Sequence, residues 1–249
     1  MKIVNAEWEL RNLGKRTVEL TLEKKDFSRK PKEIYTDIQI IEQEYHSEYT
    51  VVKIKTGRPE IGWELQKNGF FHIETQIITR AFGDDVKDAI KKYQPLFPNT
   101  TQQEISSMEE ISWIQREIEK GIFTTDRIAL DPRFGPQIAN HRYANWIKDE
   151  YVHGGHIAYT CVDDERVAFT LYREKGSTRW GLLTGVFLAY ACGSYGGHLL
   201  FSNSVDMVKN GISVMHGAIS ANNHDVFSLH EMFGHRLKTL LEVYTRHLN

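Results

Sequence analysis

Apolar and polar residues alternate in four stretches of the first third of the chain: Val18-Glu19-Leu20-Thr21-Leu22, Asp37-Ile38-Gln39-Ile40, Val52-Lys53-Ile54-Lys55 and residues 71–79. A period of two sends one set of side chains to a buried face and the other to water, so each stretch predicts a strand. Gly57-Arg58-Pro59 interrupts the pattern, and residues 60–68 read as a short helix ended by Gly69. The period then lengthens to three and four. Residues 84–94 and 101–120 predict helices, punctuated by Pro95, Pro98 and Gly121. Ser107 followed by Glu110 has the form of a capping box, but it lies deep inside the second run and is not taken as a helix start. Residues 121–135, GIFTTDRIALDPRFG, carry no helical period and read as irregular. A helix resumes over residues 136–151, with Ile138, Tyr143, Trp146 and Ile147 as its larger apolar residues.

From residue 156 the punctuation is denser. Residues 156–162, 167–172 and 180–188 predict strands, with Asp163-Asp164-Glu165 as a turn. Residues 195–210 predict a helix ended by Gly211, 213–220 a strand, 225–233 a helix ended by Gly234, and 237–248 an extended or mixed segment. No internal repeat and no low-complexity segment is visible. The succession is mixed α/β, centred on the strand–loop–helix unit at 180–210.

Composition narrows the class without naming a function. A chain of 249 residues supports one large domain or two small ones. A hydrophobic content of 41% with 26% charged residues is ordinary for a globular protein, and a net charge of -2 gives no general affinity for nucleic acid or membrane surfaces. No window approaches 18 consecutive apolar residues, and MKIVNAEWEL lacks the apolar core of a signal peptide. With only Cys161 and Cys192, a reducing, cytoplasmic location is expected.

The segment Cys192-Gly193-Ser194-Tyr195-Gly196-Gly197-His198 joins a predicted strand to a predicted helix through small residues. Such a junction exposes the first helical N–H groups at the positive end of the helix dipole, where a phosphate fits. It is neither a Walker A loop nor a GxGxxG loop. On glycine content alone it reads equally well as a tight turn. The residues around it carry more. Val186 on the strand, Ser194 and Gly196 in the turn and Leu199-Leu200 on the helix resemble the acetyl-coenzyme A site of the GNAT acyltransferase superfamily. That family has a strand valine, a Gln/Arg-x-x-Gly-x-Gly/Ala turn and a leucine pair. Here the Gln/Arg falls at Ala191 and the first glycine at Ser194, while Gly196 matches. Downstream, residues 221–234 resemble the family's Asn-x-x-Ala-x-x-Leu-Tyr-x-x-x-Gly-Phe motif at Asn223, Leu229 and Gly234. Val226 takes the small position, His230 the tyrosine and His235 the phenylalanine. Asp131-Pro132-Arg133-Phe134 and residues 141–147, with a weaker match at residues 63–74, are similar to dTDP-fucosamine N-acetyltransferases.

The resemblance implies a GNAT-type mixed central sheet flanked by helices (residues 96–249) after a smaller N-terminal α/β domain (residues 1–95). It implies transfer of acetyl from acetyl-CoA to a primary amine, with the 4-amino group of a dTDP-linked amino sugar as acceptor. Val186, Ser194, Gly196, Gly197 and Asn223 would hold the cofactor. His230, in the tyrosine position, would be the general acid, since an imidazole titrates near neutrality. The amine's base stays open among Asp131, His141 and His216. Arg133, Tyr143 and Trp146 would meet the nucleotide sugar, the rings by stacking and Arg133, with Arg142, at the diphosphate. Core packing and solvated charge are the plainer readings of these residues. The resemblance admits a homodimer and gives no place to nucleic acid or membrane. Two alternatives stand beside it: a GNAT-like acyltransferase with another amine acceptor, and a GNAT-derived binding module without catalysis. His230-Glu231-Met232-Phe233-Gly234-His235 is not a zinc motif, because HExxH needs histidines four apart on one helix face, so no metal is expected. Cys192 has no evident activating histidine, and direct transfer needs no covalent intermediate.

Overall fold

Among residues 1–248, which the computed structural model describes, the chain begins β1 (Lys2–Asn5), α1 (Trp8–Leu13), β2 (Thr17–Thr21), α2 (Pro31–Glu44), β3 (Tyr49–Lys55), α3 (Pro59–Lys67) and β4 (Phe71–Phe82). It continues α4 (Gly83–Tyr93), β5 (Thr100–Glu104), α5 (Met108–Glu119), α6 (Arg127–Leu130), α7 (Gly135–Val152), β6 (His156–Val162) and β7 (Glu165–Lys175). It closes with β8 (Thr178–Val186), α8 (Tyr195–Lys209), β9 (Val214–Ser220), α9 (His224–Met232) and β10 (Arg236–His247). All ten strands join one mixed sheet in the order β1-β2-β3-β10-β4-β9-β8-β7-β6-β5, and helices cover both faces. The mixed α/β class expected from the sequence is the one observed.

Three stretches differ from the reading of the pattern, each for a local reason. Residues 127–130, read as irregular, form the single turn α6, which the Asp126 side chain caps by accepting from the Ala129 N–H at 2.8 Å. Residues 37–40 lie inside α2, not in a strand. Ile34, Ile38 and Ile41 are buried at helical spacings, Pro31 opens the helix, and the Glu33 carboxylate accepts from the Lys30 N–H. Burying each isoleucine contributes about 1.5–3 kcal/mol, which outweighs four residues of alternation. Residues 100–104 form edge strand β5 against β6. The following helix starts where the capping box stands: Ser107 Oγ accepts from the Glu110 N–H at 3.3 Å, and Glu110 accepts from the Ser106 N–H at 3.1 Å. That box marks a true helix start.

The sheet contains a repeat that the residues do not announce. The succession β2-α2-β3-α3-β4 recurs as β8-α8-β9-α9-β10. Helices of 14 and 15 residues, strands of 7 and 7, helices of 9 and 9, and strands of 12 and 12 residues correspond. The first two strands of each unit are parallel. The long strands are exchanged: β4 lies between β9 and β10, and β10 lies between β3 and β4, all antiparallel. Residues 1–95 and 96–248 thus share the sheet, and a cut at residue 95 separates β4 from both its neighbours.

A cluster of buried charges ties α1, α6 and α7 to the first unit. Arg127 of α6 pairs with Glu19 of β2 and approaches Glu9 of α1 at 3.7 Å. Arg142 of α7 donates to Glu9 at 2.6 Å, and Lys53 of β3 reaches Glu19 at 3.3 Å. Burial alone would raise the Glu19 carboxyl, but Arg127, Lys53 and Arg142 hold it down to about 2. Among the described residues no helix is long and apolar enough to cross a membrane.

Candidate active site

Strands β8 and β9 begin as a parallel pair and then part. Their register covers Thr178↔Val214, Arg179↔Met215 and Trp180↔His216 and stops there. Beyond it β8 runs on through Gly181–Val186, paired only with β7, and β9 through Gly217–Ser220, paired only with β4. The facing edges leave a slot lined by backbone N–H and C=O groups without ladder partners. Buried backbone groups are rarely left unpaired, so an extended ligand bearing amides suits the slot in the way an added strand suits a sheet edge. The equivalent pair in the first unit does not part. All of β2 is in register with β3, and the Leu22 N–H extends the pairing to the Lys53 carbonyl at 3.0 Å. Among the described residues the two units therefore offer one slot, not two.

The loop leaving β8 ends at the N-terminus of α8. Ser194 makes no side-chain cap there, and the first turn carries no acidic residue. Ser194 is exposed and Gly196 half-buried; the Gly197 N–H is bonded to the Ser194 carbonyl at 2.9 Å, which leaves the N–H groups ahead of it for an anion. Gly197 serves packing: a Cβ on it would lie 2.7 Å from the Phe97 ring. A Cβ on Gly196 would meet Leu229 of α9 at 3.1 Å. Small residues here let α9 and Phe97 close on the helix start. Val186 packs with Leu199 beside the loop, and the Asn223 side chain caps α9 by accepting from the Val226 N–H at 3.4 Å.

Histidines stand on both faces of β9 at the start of the slot. Gly217 is the first β9 residue past the last pair with β8, and a Cβ on it would lie 3.3 Å from His230 Cε1. His230 is 7% exposed, its Nδ1 is buried without a partner, and its ring lies 4.4 Å from that of His235. Burial, then the neighbouring His235, pushes its pKa well below the usual imidazole range. His235 is bonded to Thr79 Oγ1 at 3.1 Å and is lowered to about 4, mainly by burial and then by His216. Thr79 pairs with Gly217, so both face α9. His216, one residue earlier on β9, faces the opposite side beside Trp180. It is half-buried, its Nδ1 lacks a partner, and burial, Lys238 and Arg80 lower its pKa.

The other residues singled out in the sequence fall elsewhere. Tyr143 donates its hydroxyl to Asp126, and Phe123 lies between its ring and Gly185 of β8. Trp146 donates to Glu150 at 3.0 Å, and Arg142 is committed to Glu9. Asp131 pairs with His247 at 2.8 Å and accepts from the Arg133 N–H at 3.0 Å, in a cluster against Tyr49 of β3. Arg133 and His141 are exposed, the latter beside Glu119 at 3.4 Å. Cys192 is exposed on the loop. Of the three candidate bases, His216 is the one at the slot. Among the described residues no cluster of three or more His, Cys, Asp or Glu side chains is placed to hold a metal ion.

Glu74 escaped the sequence reading. It sits on β4, 2% exposed, with Oε1 accepting from Gln76 at 2.9 Å and Oε2 buried without a partner. Burial raises its pKa against the opposing pull of Ser220 and Arg127. A carboxyl raised on folding contributes stability that is full below its unfolded value of about 4.3 and is lost as pH climbs through the folded value. Glu74→Gln should therefore raise Tm relative to wild type at pH 8, with the advantage shrinking towards pH 4. A scan of both proteins across that range checks this, and a pH-independent difference refutes it.

No protein-family model matches the chain, and no curated protein matches it in sequence. Solved structures match it in shape. A GCN5-related N-acetyltransferase from Sphaerobacter thermophilus superposes with a TM-score of 0.62 at 10% identity, covering 99% of this chain and 75% of that one. A functionally unknown conserved protein from Staphylococcus epidermidis gives 0.61 at 11% identity, over 94% and 85% of the two chains. A tandem GNAT protein from the clavulanic acid biosynthesis pathway gives 0.56 at 8% identity, over 93% and 75%. At such identities the likeness is one of fold, and the fold of this chain is that of the GCN5-related N-acetyltransferases.

Proposed function

We propose that this protein transfers the acetyl group of acetyl-CoA to a primary amine, using the slot between β8 and β9. The parting of those strands after Trp180 and His216 carries the reading. The slot has free backbone groups for the two amides of the pantetheine arm, and its mouth opens at the start of α8, where Ser194 and Gly196 would present N–H groups to the pyrophosphate; the Gly197 N–H is already given to the Ser194 carbonyl. Acetyl-CoA supplies an activated thioester. The amine nitrogen attacks its carbonyl carbon, the C–S bond breaks, and a β8 N–H stabilises the oxygen that gains charge. Positioning supplies much of the acceleration.

His216 is the base in this reading. Its lowered pKa keeps it neutral at pH 7 and able to take the proton the amine loses. His230 faces the sulfur from the α9 side. Burial keeps it neutral too, so it acts by donating an N–H hydrogen bond to the departing thiolate rather than by holding a spare proton. A dTDP-linked amino sugar is one acceptor to test, supported by the sequence likeness at residues 131–147. The rings and arginines proposed to hold it lie away from the slot.

Calorimetric titration of acetyl-CoA tests the reading, with Ser194→Asp as control. Aspartate caps a helix as well as serine, so the variant should keep the wild-type Tm. Its charge occupies the anion site, so affinity should fall at least tenfold. Micromolar binding by wild type with that loss supports the slot. No heat at millimolar acetyl-CoA refutes the reading and leaves a binding module without catalysis.

A further inference from the structure

The face of the sheet opposite α9 carries charges that nothing so far uses. Thr79 and Gly217 face α9, so their neighbours Arg80 and His216, which pair with each other, face the other way, as do the paired Ile78 and Ala218. Trp180 pairs with His216 from β8 and is 38% exposed. Arg80 and Ala218 are exposed as well. The strip beside the start of the slot is thus open to solvent on this face, whereas further along β8 the side chains of Ile122 and Phe123 close over Gly185.

Two cations border the open strip. Arg80 lies directly across from His216, and its guanidinium rests 4.6 Å from the Phe82 ring centroid. Lys238 sits in the β10 bulge between Leu237 and Thr239. Neither makes an ion pair or a side-chain hydrogen bond among the described residues. Elsewhere on the sheet and its helices Arg127, Arg142, Arg179 and Arg246 are each bound to a carboxylate. Arg80 and Lys238 lie close enough to His216 to disfavour its protonated form. Two unneutralised cations beside a proton acceptor repel an ammonium and attract an anion.

We infer that the acceptor amine also bears an anionic group, a carboxylate or a phosphate, which Arg80 and Lys238 hold while the amine reaches the slot beside His216. The inference rests on the acetyl-transfer reading. The anion offsets the repulsion an amine would meet here, and its attachment to two cations leaves Trp180 to cover the connecting carbons. The reaction is unchanged in its balance: one ammonium proton passes to His216, the amide C–N bond forms, the C–S bond breaks, and the second proton the nitrogen loses ends on the coenzyme A thiolate.

The test uses three amines on the same two-carbon frame: ethanolamine, β-alanine and phosphoethanolamine. Thiol release from acetyl-CoA is followed for wild type, Arg80→Gln and Lys238→Gln. At least one anionic amine should exceed ethanolamine tenfold or more in kcat/KM, and which of the two does so identifies carboxylate or phosphate. Each variant should raise KM for that amine several-fold and should not raise KM for ethanolamine, which offers the two cations no anion to hold. Equal use of all three amines, or variants that leave KM unchanged, overturns the inference while acetyl-CoA turnover keeps the broader reading standing. If none is turned over, calorimetric binding of the three to the acetyl-CoA-loaded protein gives the same ranking, and equal or absent binding overturns the inference. Failure of acetyl-CoA itself to bind takes both readings down.

Discussion

Arg127→Met should cost the fold about 3–5 kcal/mol, because removing one partner from a buried ion cluster leaves its carboxylates uncompensated. Arg127 is 7% exposed and serves Glu19 and Glu9 together. Without it Glu19 keeps only Lys53 within 4 Å, at 3.3 Å, while Glu9 keeps Arg142. A domain holds about 5–15 kcal/mol in total, so the loss consumes a large share. Urea unfolding of the variant reads the effect directly. The double variant Arg127→Met with Glu19→Gln should recover most of it, since the buried carboxylate goes with its partner. A single variant within 1 kcal/mol of wild type, on the scale of exposed pairs, would mean that water reaches the cluster and that α6 is held on the first unit by apolar contact.

Acid should unfold the protein in a window set by histidines. His235 falls to about 4 on folding, mainly through burial, and His230 moves in the same direction. An unfolded imidazole titrates near about 6.5. The unfolded chain therefore takes up protons below that pH that the folded chain refuses. Stability is full above pH 6.5 and declines as pH falls towards 4. For His235 alone the loss by pH 4 is about 3 kcal/mol. Urea midpoints between pH 4 and 7 should slope steeply for wild type and less for His235→Gln, whose amide can still meet Thr79. Glu19 acts in a separate window, because its folded value of about 2 confines its loss to pH below about 4.3. Matching slopes in wild type and variant would show that the His235 pocket is wet.

Much of the second unit was legible because its punctuation is local. Gly211 and Gly234 end α8 and α9 with positive φ, as their positions indicate. The short alternation at residues 37–40 misled because four residues hold too little of the helical period that Ile34, Ile38 and Ile41 spell out over a longer span. The loop at residues 192–198 and the asparagine helix were visible as motifs. The parting of β8 from β9 was not, since register is a relation between strands and leaves no mark on either. Glu74 was invisible for a related reason: an alternating strand marks its polar residues as wet, and only tertiary packing buries this one. Tyr143 and Trp146 looked like a stacking pair because helical spacing aligns them, yet α5 and the 122–123 loop cover that face.

The exchange of long strands also bears on how the chain reaches this state. Both neighbours of β4 belong to the segment from residue 214 onward. As synthesis proceeds at about 5–20 residues per second, FHIETQIITRAF waits with two open edges while five further strands are made. Neither unit can complete its sheet early, so cotranslational folding of the first as an independent body is closed to this protein. A strand with one apolar face and both edges open is a template for self-association. Yield in the cell should thus depend on a chaperone or a low synthesis rate more than on the stability of the finished fold.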